Sequence, residues 1–410
     1  MLQPDNNSCG GLGRELQLPV PPQPAREHSG VLAGLIRERI HESGGSISFE
    51  RFMEMALYEP GLGYYSAGAT RFGEAGDFIT APHVSPLFSR CVARQCRQAL
   101  AALSGGDILE LGAGSGIMAQ DLLLELEALD SLPERYLVLE TGADLRMRQQ
   151  ELFSSRIPHL LPRITWLETL PEQSLNGVII ANEVVDALPV TRVALNKGEL
   201  RELCVGHDGE DFFWMEAPCG DDGIATAWER IAADLPAPVS GPYRTEINLR
   251  AAAWMRSISG VLKQGVMLLI DYGYPRREYY HPQRDRGTLL CHYRHRSHDD
   301  PFFYPGLQDI TASVDFTALA QSAMESGMQL AGYTSQAHFL IGCGLAEIAA
   351  SAQNGAGHPD PAVSRQVKRL TLPGEMGERF KAIAFTRNFT EPLMGFQFID
   401  QQDKLWRTGG

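Results

Sequence analysis

The residues with the clearest chemical signature form a glycine turn directly after a short apolar run at 107–111. The turn contains Gly112, Gly114 and Gly116, and an amphipathic pattern follows at 117–129. Glycine adopts positive φ values and lets a ligand approach the backbone, while N–H groups at a helix start can face that ligand. We predict a strand, a turn and a helix that bind a cofactor at the turn.

Two carboxylates are placed to complete such a cofactor site. Glu110 lies just before the turn, where an acidic residue can support the amino end of the methionine part of S-adenosylmethionine. Glu140 ends the next apolar run, 136–140, where a carboxylate can accept hydrogen bonds from both hydroxyls of a ribose. The turn and these two residues favour S-adenosylmethionine as the cofactor.

The glycine pattern leaves two other interpretations open. Residues 114–119 also satisfy the pattern G-x-G-x-x-A of enzymes that bind NAD-type dinucleotides. An acidic residue before the turn has no routine role in a dehydrogenase, so a methyltransferase is favoured. A turn that binds nothing is the third interpretation, although closely spaced glycines cost chain entropy without improving packing.

A second polar group follows the predicted strand 177–182. Asn182, Glu183 and Asp186 would lie at the carboxyl edge of a parallel sheet, beside the binding crevice. Asn182 can contact the cofactor or the substrate, whereas Glu183 and Asp186 can orient a nucleophilic nitrogen and remove its proton. Methyl transfer from a sulfonium is an in-line displacement that needs alignment and no metal. The alternative role for the two carboxylates is to cap a following helix.

Basic residues are concentrated in one loop, 276–298, after the predicted strand 266–271. Its histidines include His292, His295 and His298. Three-residue steps in a proline-flanked loop impose no common face, so we predict a substrate-facing or lid loop without a metal. Asp309 and Asp315 follow, where each can support the site or cap a helix at 316–324.

Alternating strand and helix patterns predict an α/β fold with a doubly wound, mostly parallel, Rossmann-like sheet. The predicted strands are 107–111, 136–140, 164–167, 177–182 and 266–271, with a last strand at 380–386. The predicted organisation is a flexible tail at 1–30, an N-terminal helical and lid region at 31–100, a core at 101–189 and 241–350, an antiparallel insertion at 190–240, and a linker and C-terminal strand region at 351–410.

The composition excludes several other classes of protein. A chain of 410 residues with 44% hydrophobic content can bury a large core, and a net charge of −14 argues against a nucleic-acid partner. The seven cysteines form no Cys-x-x-Cys pair, which fits a reducing compartment. No apolar run is long enough to span a membrane, and the first residues resemble no leader sequence, so we expect a bacterial cytoplasmic location.

Seven ordered blocks of sequence resemble the MidA family of S-adenosylmethionine-dependent methyltransferases. The blocks are 58–65, 76–80, 110–116, 181–189, 270–274, 309–311 and 314–316, and the match extends from about residue 31 to 388. The resemblance implies methylation of a protein side chain, with arginine suspected and a subunit of respiratory complex I as the suspected partner. A non-catalytic assembly factor for a respiratory complex, which retains the fold, is the alternative.

The resemblance also implies further contacts to the cofactor or the active site. These residues are Gly76, Asp77, Phe78 and Thr80. The chain departs from the family pattern at His83, where glutamate is usual, and at Ser313, where histidine is usual. Both departures fall near the expected crevice and bear on substrate identity rather than on cofactor binding.

Overall fold

The computed structural model describes residues 18–66, 80–239, 241–352 and 360–406. The N-terminal elements are α1 (Gln23–Glu42), β1 (Ile47–Ser48), α2 (Phe49–Tyr58), α3 (Ala81–Val84) and α4 (Pro86–Leu103). Helix α1 begins inside the predicted tail, which corrects the boundary at residue 30. Pro22 and Pro24 lie at the helix start, where a missing N–H donor does no harm, so these prolines initiate the helix instead of opposing it.

Helix α2 begins directly after Ser48, which caps it. The Ser48 hydroxyl accepts a hydrogen bond from the Arg51 N–H at 3.1 Å, which satisfies one of the free donors of the first turn. The core that follows contains β2 (Asp107–Leu111), α5 (Ile117–Ala128), β3 (Tyr136–Leu139), α6 (Ala143–Arg156), β4 (Ile164–Leu167) and β5 (Leu175–Asn182). Each of these strands coincides with a predicted strand to within two residues.

The insertion contains an antiparallel sheet whose last strand lies beyond residue 240. Its elements are β6 (Thr191–Asn196), β7 (Glu199–His207), β8 (Phe212–Pro218), α7 (Asp222–Asp234) and β9 (Tyr243–Ile247). The strand order is β1-β7-β6-β9. Strand β8 pairs with β7 on the edge opposite to β6. The short strand β1 therefore ties the N-terminal region to this sheet through a pairing between distant parts of the chain.

The remaining elements complete the core and cover it. They are α8 (Leu249–Val261), β10 (Leu262–Tyr274), α9 (Arg276–Tyr279), β11 (Leu290–Tyr293), β12 (Arg296–His298), β13 (Asp309–Thr311), β14 (Val314–Asp315), α10 (Phe316–Glu325), β15 (Gln329–Ser335), α11 (Gln336–Gly342), α12 (Leu345–Ser351), α13 (Pro361–Thr371), β16 (Phe380–Arg387) and α14 (Met394–Gln397). Asp315 caps α10 by accepting a hydrogen bond from the Ala318 N–H at 3.1 Å. Among the described residues, no helix has the length and apolar character needed to cross a membrane.

The main sheet has the strand order β15-β16-β10-β5-β2-β3-β4. Strands β10, β5, β2, β3 and β4 are parallel, whereas β16 is antiparallel to both of its neighbours. Successive residues of β5, Val178 and Ile179, enter different apolar clusters on the two faces of the sheet. With both faces buried, the open edge is the carboxyl end, and the strand order reverses between β2 and β5. A ligand crevice is expected at that point.

Candidate active site

The glycine turn lies at the reversal point and needs its glycines for steric reasons. Gly112, Gly114 and Gly116 have φ values of +64°, +55° and +84°, a region that side-chain-bearing residues rarely adopt. A Cβ atom on Gly116 would lie 3.0 Å from the Phe153 ring, and one on Gly112 would lie 3.0 Å from Val184. The Phe153 ring thus packs against the turn, and the turn lies beside the segment that follows β5.

Glu110 lies beneath the turn and is 1% exposed. The Tyr136 hydroxyl donates a hydrogen bond to Glu110 Oε2 at 2.7 Å. Burial raises the pKa of Glu110 to about 7, although the bond from Tyr136 opposes that shift. The tyrosine thus provides a partner for a carboxyl group that has little contact with water.

Glu140 is held by groups on both of its oxygen atoms. Its Oε1 accepts a hydrogen bond from the Gly142 N–H at 2.9 Å, and its Oε2 accepts one from Gln149 Nε2 at 3.3 Å. Burial raises its pKa while these donors lower it. Gln149 also donates to the Gly114 carbonyl oxygen at 2.9 Å, so a single side chain joins the glycine turn to Glu140.

The segment after β5 is a loop, and no helix begins there. Glu183 has a φ of +55°, and its N–H donates to the Ile270 carbonyl oxygen at 2.9 Å. Asp271 Oδ2 accepts hydrogen bonds from the N–H groups of residues 184–186 at 2.9–3.2 Å. Because these amides bind Asp271, the helix-capping role considered for Glu183 and Asp186 is wrong.

Glu183 and Asp186 each have a buried carboxyl oxygen in this loop. Glu183 Oε1 accepts hydrogen bonds from the Ala81 N–H at 3.2 Å and from Asn182 Nδ2 at 3.1 Å. Glu183 Oε2 and Asp186 Oδ1 have no hydrogen-bond partner among the residues that the structure describes. Burial and the charge of Asp271 raise the pKa of Glu183 to about 8 and that of Asp186 well above its usual value. A cationic group that donates hydrogen bonds would satisfy these two oxygens and favour the ionised forms of the two carboxyl groups.

Tyrosines that the sequence patterns did not single out border this acidic loop. The Tyr65 hydroxyl donates to both oxygens of Asp309, at 2.9 and 3.0 Å, and the Tyr65 ring stacks on Tyr58 with 5.5 Å between ring centroids. The Tyr58 hydroxyl donates to the Ala187 carbonyl oxygen at 2.8 Å. Asp309 is thereby joined to the tyrosines that border the loop. Only the resemblance, through the block at 58–65, indicated the tyrosines.

The departure from the family pattern at His83 places an imidazole against the glycine turn. Its Nδ1 lies 2.7 Å from Thr80 Oγ1, and its Nε2 lies 2.9 Å from Ser115 Oγ. Desolvation lowers the pKa of His83, because burial disfavours the protonated ring. Gly76, Asp77 and Phe78 lie outside the described residues. The second departure, Ser313, donates its backbone N–H to Thr288 Oγ1 at 3.1 Å.

The buried arginine of the basic loop serves the fold, which corrects the expectation of a substrate-facing loop at this residue. Arg276 is 5% exposed and forms ion pairs with Asp234 at 2.7 Å and Asp315 at 3.2 Å. Two of the three spaced histidines lie in the strands of the β11–β12 hairpin. Within the described ranges, no group of His, Cys, Asp and Glu side chains could hold a metal ion.

A parallel α/β sheet, a glycine turn at its reversal point and an acidic loop on the adjoining strand define a Rossmann-like methyltransferase that uses S-adenosylmethionine. Comparison with known proteins agrees. Residues 91–334 match the family described as "Putative S-adenosyl-L-methionine-dependent methyltransferase", and the chain belongs to that family. The NAD-type dinucleotide interpretation of the glycine pattern is thereby wrong.

Solved structures and curated relatives extend the comparison over most of the chain. A Burkholderia thailandensis protein crystallised with S-adenosyl-homocysteine bound is 40% identical, with a TM-score of 0.89, covering 94% of this chain and 100% of that one. The Drosophila melanogaster relative, protein arginine methyltransferase NDUFAF7 homolog, mitochondrial, is 26% identical, covering 92% of this chain and 91% of the relative. Human NDUFAF7, with the same activity in its name, is also 26% identical, covering 84% and 80%.

Proposed function

We propose that this enzyme transfers the methyl group of S-adenosylmethionine to an arginine side chain of a protein. The observation that carries the proposal is the pair of buried, unpartnered oxygens Glu183 Oε2 and Asp186 Oδ1, in the part of the chain that the structure describes. A guanidinium group has five N–H donors and a positive charge, and it pairs with carboxylates in a fixed plane. The names of the NDUFAF7 relatives support the same substrate, and a respiratory complex I subunit remains the suspected partner.

The cofactor would occupy the crevice beside the glycine turn. Its methionine part would lie along Gly112, Gly114 and Gly116, with Glu110 beneath, and its ribose would bind Glu140. Asn182 would contact the cofactor from the end of β5, and the resemblance to the MidA family implies further contacts from Gly76, Asp77, Phe78 and Thr80. The proximity of Val184 to Gly112 supports this arrangement, because it places the acidic loop next to the turn.

In this arrangement the protein aligns three atoms and removes one proton. The nucleophilic nitrogen forms a bond to the methyl carbon as the bond from that carbon to sulfur breaks, so the three atoms must be collinear. Glu183 and Asp186 would orient the guanidinium plane, and the ionised form of one of them would accept the proton that the nitrogen loses. Asp271 would keep the loop rigid during this step.

The direct test is to incubate the purified enzyme with radiolabelled S-adenosylmethionine and a lysate from a strain that lacks the enzyme. We expect label in a protein, and mass spectrometry should place the methyl group on arginine. Label in a small molecule, or on a protein residue other than arginine, would overturn the proposal. The double variant Glu183→Gln/Asp186→Asn should bind cofactor but transfer no label. A non-catalytic assembly factor would transfer no label even as the wild-type protein.

A further inference from the structure

We propose that Gln149 is a positioning residue of the cofactor site, which sets the affinity for S-adenosylmethionine by fixing the glycine turn relative to Glu140. The proposal rests on the placement of the cofactor given above. Gln149 belongs to none of the motifs described in the sequence. It lies in the middle of α6 and is fully buried.

Three hydrogen bonds define the orientation of the Gln149 amide. Its Oε1 accepts a bond from Trp166 Nε1 at 2.9 Å, and its Nε2 donates to the Gly114 carbonyl oxygen at 2.9 Å and to Glu140 Oε2 at 3.3 Å. An indole N–H can only donate, so it must face the amide oxygen, which directs the amide nitrogen at the other two partners. The amide therefore cannot be reversed without losing all three bonds.

The Gln149 side chain is closely packed on α6. Phe153, one helical turn further along α6, packs against Trp166 with ring centroids 5.7 Å apart. A Cβ atom on Gly116 would lie 3.2 Å from Gln149 Cγ, so the side chain is wedged between α6 and the turn. Gly114 and Glu140 are on different strand ends, and one rigid amide holds both. Backbone pairing joins the two strands as far as the Gly112 N–H and the Leu139 carbonyl oxygen, and beyond that point the Gln149 side chain links the expected methionine and ribose contacts.

The hydrogen-bond donors of Gln149 distinguish a positioning role from a role in packing alone. Gln149 donates two N–H groups toward acceptors, one of them a carboxylate. A glutamate of the same size would, when ionised, turn oxygens toward a carbonyl and a second carboxylate, and repulsion would push the turn and Glu140 apart. When protonated, it would donate again. The effect of Gln149→Glu on cofactor affinity should therefore depend on pH, which a loss of packing would not produce.

The test measures the Kd of S-adenosyl-homocysteine by calorimetry for the wild type, Gln149→Glu and Gln149→Met between about pH 6 and about pH 9. For Gln149→Glu, we expect the Kd relative to wild type to increase by at least about tenfold from the lower to the higher pH. For Gln149→Met, which keeps the volume without the hydrogen bonds, we expect Kd to rise at least about fivefold, by a factor that pH leaves unchanged. A Gln149→Glu ratio independent of pH, or a Gln149→Met Kd within about twofold of wild type, overturns the inference.

Two controls separate this inference from its premises. Gln336 is also a fully buried glutamine, donating to the Leu370 carbonyl oxygen at 3.0 Å, but it follows β15 at the opposite edge of the sheet from β4. Gln336→Met should lower thermal stability and leave Kd unchanged. Glu140→Ala should weaken binding. If Glu140→Ala binds S-adenosyl-homocysteine like the wild type, the cofactor placement is wrong. If Glu140→Ala binds weakly while the Gln149 variants bind like the wild type, only the role of Gln149 is refuted.

Discussion

Asp271 holds Asp186 in place through the backbone: Asp271 Oδ2 accepts the Asp186 N–H at 3.2 Å and also binds the two preceding amides. Its other oxygen accepts the Tyr272 N–H at 2.8 Å. One buried carboxylate at the end of β10 thus satisfies four backbone donors and fixes the loop after β5. The candidate catalytic geometry is set by a residue that need not touch the substrate.

Removing that carboxylate should disorganise the loop. Asp271→Ala would leave four N–H groups without their acceptor, so we expect a loss of about 3 kcal/mol or more in the free energy of unfolding, measured in urea. Methyl transfer should fall more than the affinity for S-adenosyl-homocysteine. Asp208→Ala is the matched control, since Asp208 accepts two backbone N–H groups in an exposed hairpin turn. Equal losses for both variants would contradict the role of Asp271.

Neutralising the unpartnered carboxylates should separate chemistry from cofactor binding. We expect Glu183→Gln and Asp186→Asn each to lower the rate of methyl transfer by about 100-fold or more, because a neutral amide neither accepts the proton nor balances a cationic substrate. The Kd of S-adenosyl-homocysteine should change by less than about threefold. Glu202→Gln, at a buried carboxylate of the antiparallel sheet, is the control expected to retain activity. Retained activity in the first two variants would remove those residues from the mechanism.

A side chain in the glycine turn should block the cofactor. Gly114 has a φ of +55°, and Gly114→Val would strain the turn and fill the space that the ligand needs. We expect no saturable binding of S-adenosyl-homocysteine in calorimetry. Gly198 has a φ of +84° in a hairpin turn, and a Cβ atom on it would have no described atom within 4 Å, so Gly198→Val reports backbone strain alone. Wild-type affinity in Gly114→Val would refute the site.

The pKa of Glu183 predicts how stability changes with pH. Burial raises this pKa from 4.5 to about 8, so the folded state retains a proton that the unfolded state has lost. The stabilisation is complete below about pH 4.5 and is lost progressively as the pH rises through about 8. We expect Glu183→Gln, which never ionises, to gain on the order of 3 kcal/mol relative to wild type between about pH 5.5 and about pH 8.5 in urea unfolding. A constant difference between the two proteins would show that the group titrates normally.

The buried arginine of the basic loop should matter for folding and not for ligand binding. Arg276→Met would leave Asp234 and Asp315 without their partner, and we expect a loss of about 3 kcal/mol in urea unfolding. The affinity for S-adenosyl-homocysteine should stay within about twofold of wild type. Arg286→Met, at an exposed arginine of the same loop, should be neutral. Loss of cofactor binding in a stable Arg276→Met protein would restore a direct role for this arginine.

Local patterns in the sequence were sufficient to predict β2, the glycine turn and α5. A strand with apolar residues, glycines that permit positive φ and an amphipathic helix are each specified by neighbouring residues. The helix caps at Ser48 and Asp315 were predictable for the same reason, since a capping side chain binds an N–H group only a few residues away. The order of the strands then placed Glu140 and the residues after β5 at the same edge of the sheet.

The tertiary structure decided what those residues contact. Glu183 binds the Ala81 N–H and lies near Asp271, and neither neighbour is close to it in sequence. Its raised pKa follows from burial among these groups, which no local pattern encodes. The helix cap considered for Asp186 failed because Asp271 binds the loop amides, and Gln149 is significant only because α6 packs beneath the turn. The sequence by itself determined the cofactor-binding architecture, whereas long-range packing determined the charge, rigidity and partners of the groups within it.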